Sequence, residues 1–555
     1  MCILWYTFVL EAKRFARMKG TDFMKKLIAL MLIVCMAFSV VLTGCGSSGD
    51  PVVDNEAVVS TDKYRNYYQI WIGSFCDSNN DETGDFEGII SKLDYLNDGD
   101  PNSGDDLGVD GIWLSPMMPS YSYHKYNVRD YYNIDPEFGS LEIFDKFIKE
   151  CDKRGIAVII DLVVNHSASD HPYFVKACEE LREGKEDGYA KYYNFKKGSD
   201  MTHNRRVTDS SYFYEGQFSS EMPDWNLSYE GTRDYFEDVV KFWLDRGVDG
   251  FRLDAVKYFS DAKTDGIEFM TWFYDMAQSY NPDVYMVGED WDSAGAIYEQ
   301  YKSGIDSFFN FKFGDTSGDY VTTGRNGMTQ NFSAALKKYN DNILKRSDTA
   351  INANFLTNHD MVRVSNSLEA NEQKFAAALY LLSPGNSFTY YGEEIGIEAP
   401  NTTNDASYRT AMIWDNDKLP NIYVNGVAEV EPNALGGVKQ QLAQPDSLLN
   451  TYRRLYKLKN QNPEIARGKI TELFETDDVY LGGYYVEYNG EKLLIIHYGG
   501  EEATKVTITD DMLSNAEFRG GVVAGTGEGE KEAQVTFDGG TLTMPPMSTA
   551  VLKAD

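Results

Sequence analysis

Along most of the chain, short apolar runs alternate with stretches in which apolar residues recur every three or four positions. The runs are YYQIWIGSF at 67–75, GIWLSP at 111–116, AVIIDLVV at 157–164, GFRLDA at 250–255, VYMVGED at 284–290, DSFFNF at 306–311, ANFLTNH at 353–359 and SFTYYGEE at 387–394. Apolar runs without polar alternation predict strands buried on both faces, as in a parallel sheet. Between them, segments such as LEIFDKFIKECDKRG at 141–155 and TRDYFEDVVKFWLDRG at 232–247 carry the helical period. Eight such βα units predict an α/β chain folded as a (β/α)8 TIM barrel.

One connection is too long for a simple loop. About 65 residues rich in Tyr, Asp and Gly separate the third run from the helix at 232, which predicts a subdomain inserted after strand 3, about 166–231. After the helical stretch SLLNTYRRLYKLKNQNP at 447–463 the pattern shortens and alternates. In YYVEYNGEKLLIIHY at 484–498, Asn489–Gly490 marks a hairpin turn. The expected organisation is a barrel domain over 62–463 and a C-terminal antiparallel β-sandwich over 464–555.

The N-terminus has a different character. Met24, Lys25 and Lys26 precede the apolar run LIALMLIVCMAFSVVL at 27–42, and LTGC follows at 42–45. A short positive segment, an apolar run and small residues form the pattern of a secretory signal. The run falls short of the roughly 20 residues of a spanning helix. LTGC resembles a bacterial lipobox, which implies a signal peptide over 1–45, a lipid on Cys45 and an extracytoplasmic protein anchored to the cell membrane. GSSGD then opens a flexible tether over 46–61. The competing reading is an uncleaved membrane anchor. Residues 1–23 do not fit a signal peptide, which places the expected start at Met18 or Met24.

A formal charge of −34 excludes nucleic acid as an expected partner and disfavours contact with anionic lipid headgroups except through such an anchor. Cys76, Cys151 and Cys178 are scattered and show neither a disulfide framework nor metal-ligand spacing. The 38 Tyr, 30 Phe and 8 Trp serve equally as core or as surfaces for sugar rings, so they do not decide the function. A monomer is expected.

Reactive groups of a TIM barrel sit at the C-terminal ends of its strands. Three carboxylates meet that condition: Asp254 after strand four, Glu289 after strand five and Asp360 after strand seven. Retaining glycoside hydrolysis needs a carboxylate nucleophile and a carboxylic acid that protonates the leaving oxygen. Arg252, two positions before Asp254, shares its strand face and would keep it ionised. Glu289 has to hold its proton until the bond breaks, which requires a raised pKa.

The same residues carry a family resemblance. DLVVNHS at 161–167, GFRLDAVKY at 250–258, VGEDW at 287–291 and FLTNHD at 355–360 resemble, in order and spacing, the four sequence blocks of the α-amylase family, glycoside hydrolase family 13. YHKYNVRDYY at 123–132 and PGNSFTYYGEEIG at 384–396 extend the resemblance over roughly 62–460. The resemblance implies Asp254 as nucleophile, Glu289 as acid/base and Asp360 as the stabiliser that grips sugar hydroxyls. It also implies Tyr126, His166, Arg252, Lys257 and His359 as substrate-binding residues. Two departures stand out. The family often has His-Gly-Tyr where this chain has His124-Lys125-Tyr126, and Lys-His where it has Lys257-Tyr258. In many α-amylases that second histidine offers its carbonyl to a calcium ion, so the site is left open here, with Asn165 as a remaining candidate ligand.

A second cation site is read from spacing. In DSNNDETGD at 77–85, Asp77, Asn79, Asp81, the Thr83 carbonyl and Asp85 place oxygens at alternate positions, as in a calcium loop. Position six is Glu82 rather than Gly and position twelve is Gly88 rather than Glu, so it is not an EF-hand. A structural Ca2+ is expected, Mg2+ being the alternative, and an acidic turn without a cation is the competing reading.

MPDWN at 222–226 resembles a variable fifth block of the family, intermediate between oligo-1,6-glucosidases and neopullulanases, and Ala255 and Lys257 match the α-1,4-acting pattern. The expected activity is endo-acting hydrolysis of α-1,4-glucosidic bonds in starch and maltooligosaccharides. The alternatives are an exo-acting α-glucosidase or oligo-1,6-glucosidase, a neopullulanase or transglycosylase, and a non-catalytic glycan-binding lipoprotein. The presence of all three carboxylates argues against the last.

Overall fold

The computed structural model describes residues 56–198, 203–260, 265–424, 427, 430–525 and 534–554. The expected signal segment, Cys45 and the first part of the tether lie outside the described residues, among which no helix is long and apolar enough to cross a membrane.

Eight parallel strands close the barrel. In chain order the first three are β1 (Asn66–Ile70), β2 (Gly111–Leu114) and β3 (Ala157–Leu162). Three strands of the insert follow, β4 (Phe195–Lys197), β5 (Asn204–Arg206) and β6 (Tyr212–Glu215). The remaining barrel strands are β7 (Gly250–Leu253), β8 (Tyr285–Gly288), β9 (Ser307–Phe309), β10 (Ile351–Phe355) and β11 (Asn386–Tyr390). Around the ring they run β1-β2-β3-β7-β8-β9-β10-β11, with β11 closing on β1. Each apolar run of the sequence carries one of these strands. The strands stop short of the runs because the final residues, among them Asp254 and Glu289, leave the ladder to face the open end.

Aromatic rings fill much of the barrel interior. Tyr67 stacks between Phe388 (4.8 Å) and Tyr285 (5.3 Å), and Trp113 packs on Phe309. Polar residues among them come in partnered sets. Asp161 of β3 and Arg252 of β7 are register neighbours, so their side chains emerge on the same face of adjacent strands.

The insert packs its helix Pro172–Arg182 beside a small sheet of order β4-β6-β5. The bridge His166–Asp224 ties its return to the chain leaving β3, and the bridge Tyr193–Trp225 closes it on the insert itself. The Trp225 ring, fully buried, stacks on Tyr193 at 4.3 Å, so the MPDWN segment anchors the insert.

The C-terminal strands are β12 (Lys469–Leu473), β13 (Leu481–Tyr488), β14 (Glu491–Tyr498), β15 (Thr504–Thr507), β16 (Glu517–Val523), β17 (Thr536–Asp538), β18 (Thr541–Met544) and β19 (Ser548–Lys553). They form a sheet of order β12-β13-β14-β19-β16 and another of order β15-β18-β17. Leu494, Ile496 and Leu552 of the larger sheet meet Val506, Leu542 and Met544 of the smaller. Asn489 (φ 52°) and Gly490 (φ 90°) make the hairpin turn left-handed at both positions, as a tight right-twisted hairpin demands. One feature departs from the sequence pattern. From Leu493 to Tyr498, β14 is buried at every position. Leu493 and Ile495, on the face away from the smaller sheet, join the core of the barrel. A sheet covered on both sides needs no polar alternation, which explains the unbroken LLII.

Candidate active site

At the C-terminal end of the barrel a cavity of about 660 Å³ is lined by Asp254, Glu289 and Asp360 together with Tyr126, His166 and Lys257. Arg252 lies beneath it, completely buried. Its Nη1 donates to Asp254 Oδ1 at 2.6 Å and to Asp161 Oδ1 at 2.8 Å. Its Nη2 lies 2.9 Å from Glu289 Oε1, an ion pair without hydrogen-bond alignment. One guanidinium thus serves three carboxylates.

The loop after β7 turns the nucleophile candidate into the cavity. Ala255 adopts φ 52° and ψ 41°, a left-handed conformation that costs a non-glycine residue about 1–2 kcal/mol. The turn is held by the Ala255 N–H on Glu289 Oε2 (3.3 Å) and the Val256 N–H on the Glu289 carbonyl (3.0 Å). The same turn therefore fixes Asp254 and Glu289 relative to each other.

On the far side of the ring, His359 and Asp360 follow β10. Gln69 of β1 donates from Nε2 to His359 Nδ1 at 2.7 Å, which leaves the imidazole proton on Nε2. That nitrogen lies 3.0 Å from Asp360 Oδ2 and 2.5 Å from the Tyr126 hydroxyl, which itself donates to Asp161 Oδ2 at 3.1 Å. Arg409 Nη2 donates to Asp360 Oδ1 at 2.9 Å, and its Nε donates to the His359 carbonyl. Its guanidinium lies 4.4 Å over the Trp71 ring. His166 is buried, lines the cavity and has its Nε2 without a hydrogen-bond partner among the described residues, so it is free to meet a sugar hydroxyl.

Burial and charge separate the carboxylates. Glu289 is pushed up to about 8, first by burial and then by the nearby Asp254 and Asp360 charges, against the pull of Arg252. Burial also raises Asp254, and Arg252 opposes it. Asp161 is pushed up to about 7 by burial, with Arg252 pulling down and Asp254 pushing further up. Burial works against an ionised Asp360 as well, but the hydrogen bonds and charges of His359, Arg409 and Arg252 outweigh it and hold that group low. Burial lowers His359, against the upward pull of the Asp360 charge and hydrogen bond. His124 and His166 are each pushed down to about 4, chiefly by burial, and stand neutral at pH 7.

The cavity thus gathers Asp254, Glu289, Asp360, Tyr126, His166 and Lys257, with Arg252 and His359 buried in direct contact with the carboxylates. Lys257 pairs with Asp292 (2.8 Å) at the rim. Sequence reasoning passed over Gln69, Asp161 and Arg409. The departure at Lys125 is now explained. It sits at φ 63°, where glycine costs least, and its buried Nζ pairs with Asp135 (2.9 Å) and Glu137 (2.6 Å) in compensation. Asn165 donates from Nδ2 toward Asp224 and His166.

In the loop at 77–85 the expected ligands bond to their own backbone. Asp77 accepts the N–H groups of Asn79, Asn80 and Glu82, Asp81 accepts that of Thr83, and Asp85 accepts those of Ser78 and Gly88. The donor set, carboxylates and amides only, is that of a hard cation. Among the described residues, however, no three His, Cys, Asp or Glu side chains converge on a metal-sized site.

A TIM barrel with this arrangement of carboxylates around a buried arginine defines a glycoside hydrolase. Residues 69–468 match the family model described as α-amylase, catalytic domain, and the chain belongs to the α-amylase family. "Alpha-amylase 3" of Dictyoglomus thermophilum is 34% identical over 447 residues, covering 78% of this chain and 85% of that protein. An oligo-1,6-glucosidase of Bacillus sp. (strain F5) is 30% identical, covering 77% and 98%. Among solved structures, Eubacterium rectale Amy13B is 36% identical with a TM-score of 0.82, covering 90% of this chain and 97% of that one. An α-amylase from H. orenii is 33% identical with a TM-score of 0.77, covering 89% and 100%.

The ionisation pattern makes a prediction. An acid catalyst works only while protonated, so kcat/KM should fall as pH rises through about 8, where Glu289 loses its proton. Glu289→Gln should cost about 10²–10⁴-fold in rate on substrates with poor leaving groups and abolish that alkaline limb. A pH–rate profile measured with both forms checks this, and an unchanged limb in the variant would assign it to another group.

Proposed function

We propose that this protein is an endo-acting hydrolase of α-1,4-glucosidic bonds in starch and maltooligosaccharides, working by double displacement with retention. Asp254 attacks the anomeric carbon while Glu289 protonates the departing oxygen. Glu289 then takes a proton from water as that water releases the glycosyl group from Asp254. Asp360, held ionised by Arg409, accepts hydroxyls of the sugar being transferred, and His166 and His359 complete that grip. The observation that carries the endo reading is the cavity, whose volume of about 660 Å³ exceeds what one hexose ring fills. The small Ala255 on its wall and Lys257 at its rim support the α-1,4 preference.

The tether and lipobox-like segment support an extracytoplasmic enzyme anchored through Cys45, acting as a monomer on polymers that do not cross a membrane. The oxygen-only donor set supports Ca2+ on the loop at 77–85, where Asp77, Asn79, Asp81, the Thr83 carbonyl and Asp85 would hold it. There it would fasten the loop after β1 to the helix capped by Asp85.

A maltoheptaoside blocked at its non-reducing end should yield new reducing ends. Turnover of unblocked maltose or isomaltose alone would replace the endo reading with an exo-glucosidase. Calcium at millimolar level should raise the thermal midpoint of chelator-treated protein, and Asp77→Ala with Asp81→Ala should abolish that rise. An identical melt with and without calcium counts against the cation. In cells, the full chain should partition into detergent and Cys45→Ala should move it to the aqueous phase. Equal partition of both forms would favour an uncleaved anchor.

A further inference from the structure

The chain leaving β1 makes contacts that the cavity itself does not show. Trp71, the first residue beyond that strand, is buried and is not one of the residues that line the cavity. Its ring nevertheless touches two residues that reach Asp360. The Arg409 guanidinium lies 4.4 Å over it, and the His359 ring stacks on it at 5.5 Å with 29° between the planes. Ser74, in the short helix Ile72–Phe75 that follows, donates from Oγ to the Arg409 carbonyl at 2.6 Å, and its own carbonyl accepts the Met412 N–H at 2.9 Å. The exit of β1 thus holds both the side chain and the backbone of Arg409.

Arg409 has a choice of carboxylates. Its Nη2 donates to Asp360 at 2.9 Å, while its Nη1 donates to the Tyr123 hydroxyl at 2.8 Å and lies 3.2 Å from Asp405 Oδ2. Asp405 is only four residues away along the chain, and its side chain is 56% exposed against 29% for Asp360. Left to itself, the guanidinium would favour the exposed partner, because pairing there takes neither charge out of water. Something has to hold it on the more buried acid. The flat Trp71 ring does so by attracting the desolvated cation and fixing its plane, with the bond from Arg409 Nε to the His359 carbonyl (3.0 Å) setting its rotation.

We infer that Trp71 is a positioning residue whose ring holds the Arg409 guanidinium on Asp360 rather than on Asp405, and so keeps in place the carboxylate that grips the transferred sugar. This rests on the role given to Asp360 above. Trp71 acts through Arg409 and does not reach the substrate. Its loss admits water to the guanidinium and frees it to turn toward Asp405, which leaves His359 and Arg252 as the groups that still favour an ionised Asp360.

The test uses the full chain and whichever of blocked maltoheptaoside, maltose or isomaltose the wild type cuts. Trp71→Met, which fills part of the space without a ring, should lower kcat by about thirtyfold, the worth of one desolvated cation–ring contact, with KM moving less than about threefold. Trp71→Phe, which keeps a ring, should retain most of kcat. Arg409→Ala should lower kcat as well, and adding Trp71→Met to it should cost less than about threefold more, because the residue through which Trp71 acts is already gone. Phe75→Leu removes another buried ring from the same short helix, one that packs on Tyr68, Tyr391 and Trp414, and should lower the thermal midpoint while leaving kcat near the wild-type value. Losses that multiply in the double variant, a Trp71→Phe protein as slow as Trp71→Met, or an equal loss of kcat in Phe75→Leu would each reduce Trp71 to a core residue and overturn the inference. Wild-type protein that cuts none of the three substrates overturns the glucan-cleaving reading itself, before any variant is made.

Discussion

A guanidinium with no solvent contact is expensive to bury and is tolerated only when its charge is met in good geometry. In this protein Arg252 is met three times over, by its strand neighbour Asp161, by Asp254 two residues on, and by Glu289 at the end of the adjoining strand. The barrel has to close in this register for the cation to be tolerated, so the stability of the sheet and the geometry of the site share one requirement. The excess of carboxylates over cations at this point has a chemical consequence. A single positive charge cannot hold three buried acids ionised, and the protons that remain settle where burial is least compensated, with Glu289 at about 8 and Asp161 at about 7. Asp360, which has Arg409 as a cation of its own, goes the other way. Glu289 and Asp360, both deeply buried, thus move in opposite directions because their partners differ.

The barrel was legible in the sequence because each strand is buried on both faces and so carries an unbroken apolar run. The three carboxylates that line the cavity were legible because such runs end at the open end of the barrel. What escaped did so for identifiable reasons. Asp161 and Gln69 are polar residues inside strands with no solvent-facing side. A charged or amide side chain there demands a buried partner, and that demand was a signal in AVIIDLVV and YYQIW that was not followed. Arg409 gave no comparable signal. It lies in an irregular segment after the last barrel strand and reaches Asp360 only through the fold, 49 residues away along the chain. The LLII run in β14 hid its partnership with the barrel, because apolar continuity marks burial on both faces without naming what covers the second.

Lys125 and Ala255 show how the loops accommodate strain next to the chemistry. Both residues hold left-handed backbones that glycine would adopt freely. Lys125 offsets the cost with a buried ion pair to Asp135, and Ala255 with a hydrogen bond from its N–H to the Glu289 carboxylate. A glycine at 255 would relax the turn that aims Asp254, and the methyl group of alanine also forms part of the cavity wall. Strain here is coupled to orientation, which is the circumstance in which it persists.

The net charge of −34 fits the same scheme. A neutral glucan feels no long-range field, so an acidic surface neither steers it nor repels it, and affinity has to arise from contacts within the cavity. Part of that cavity's wall is polar, and there Asp360 is held ionised by His359, Arg409 and Arg252 together, against its burial.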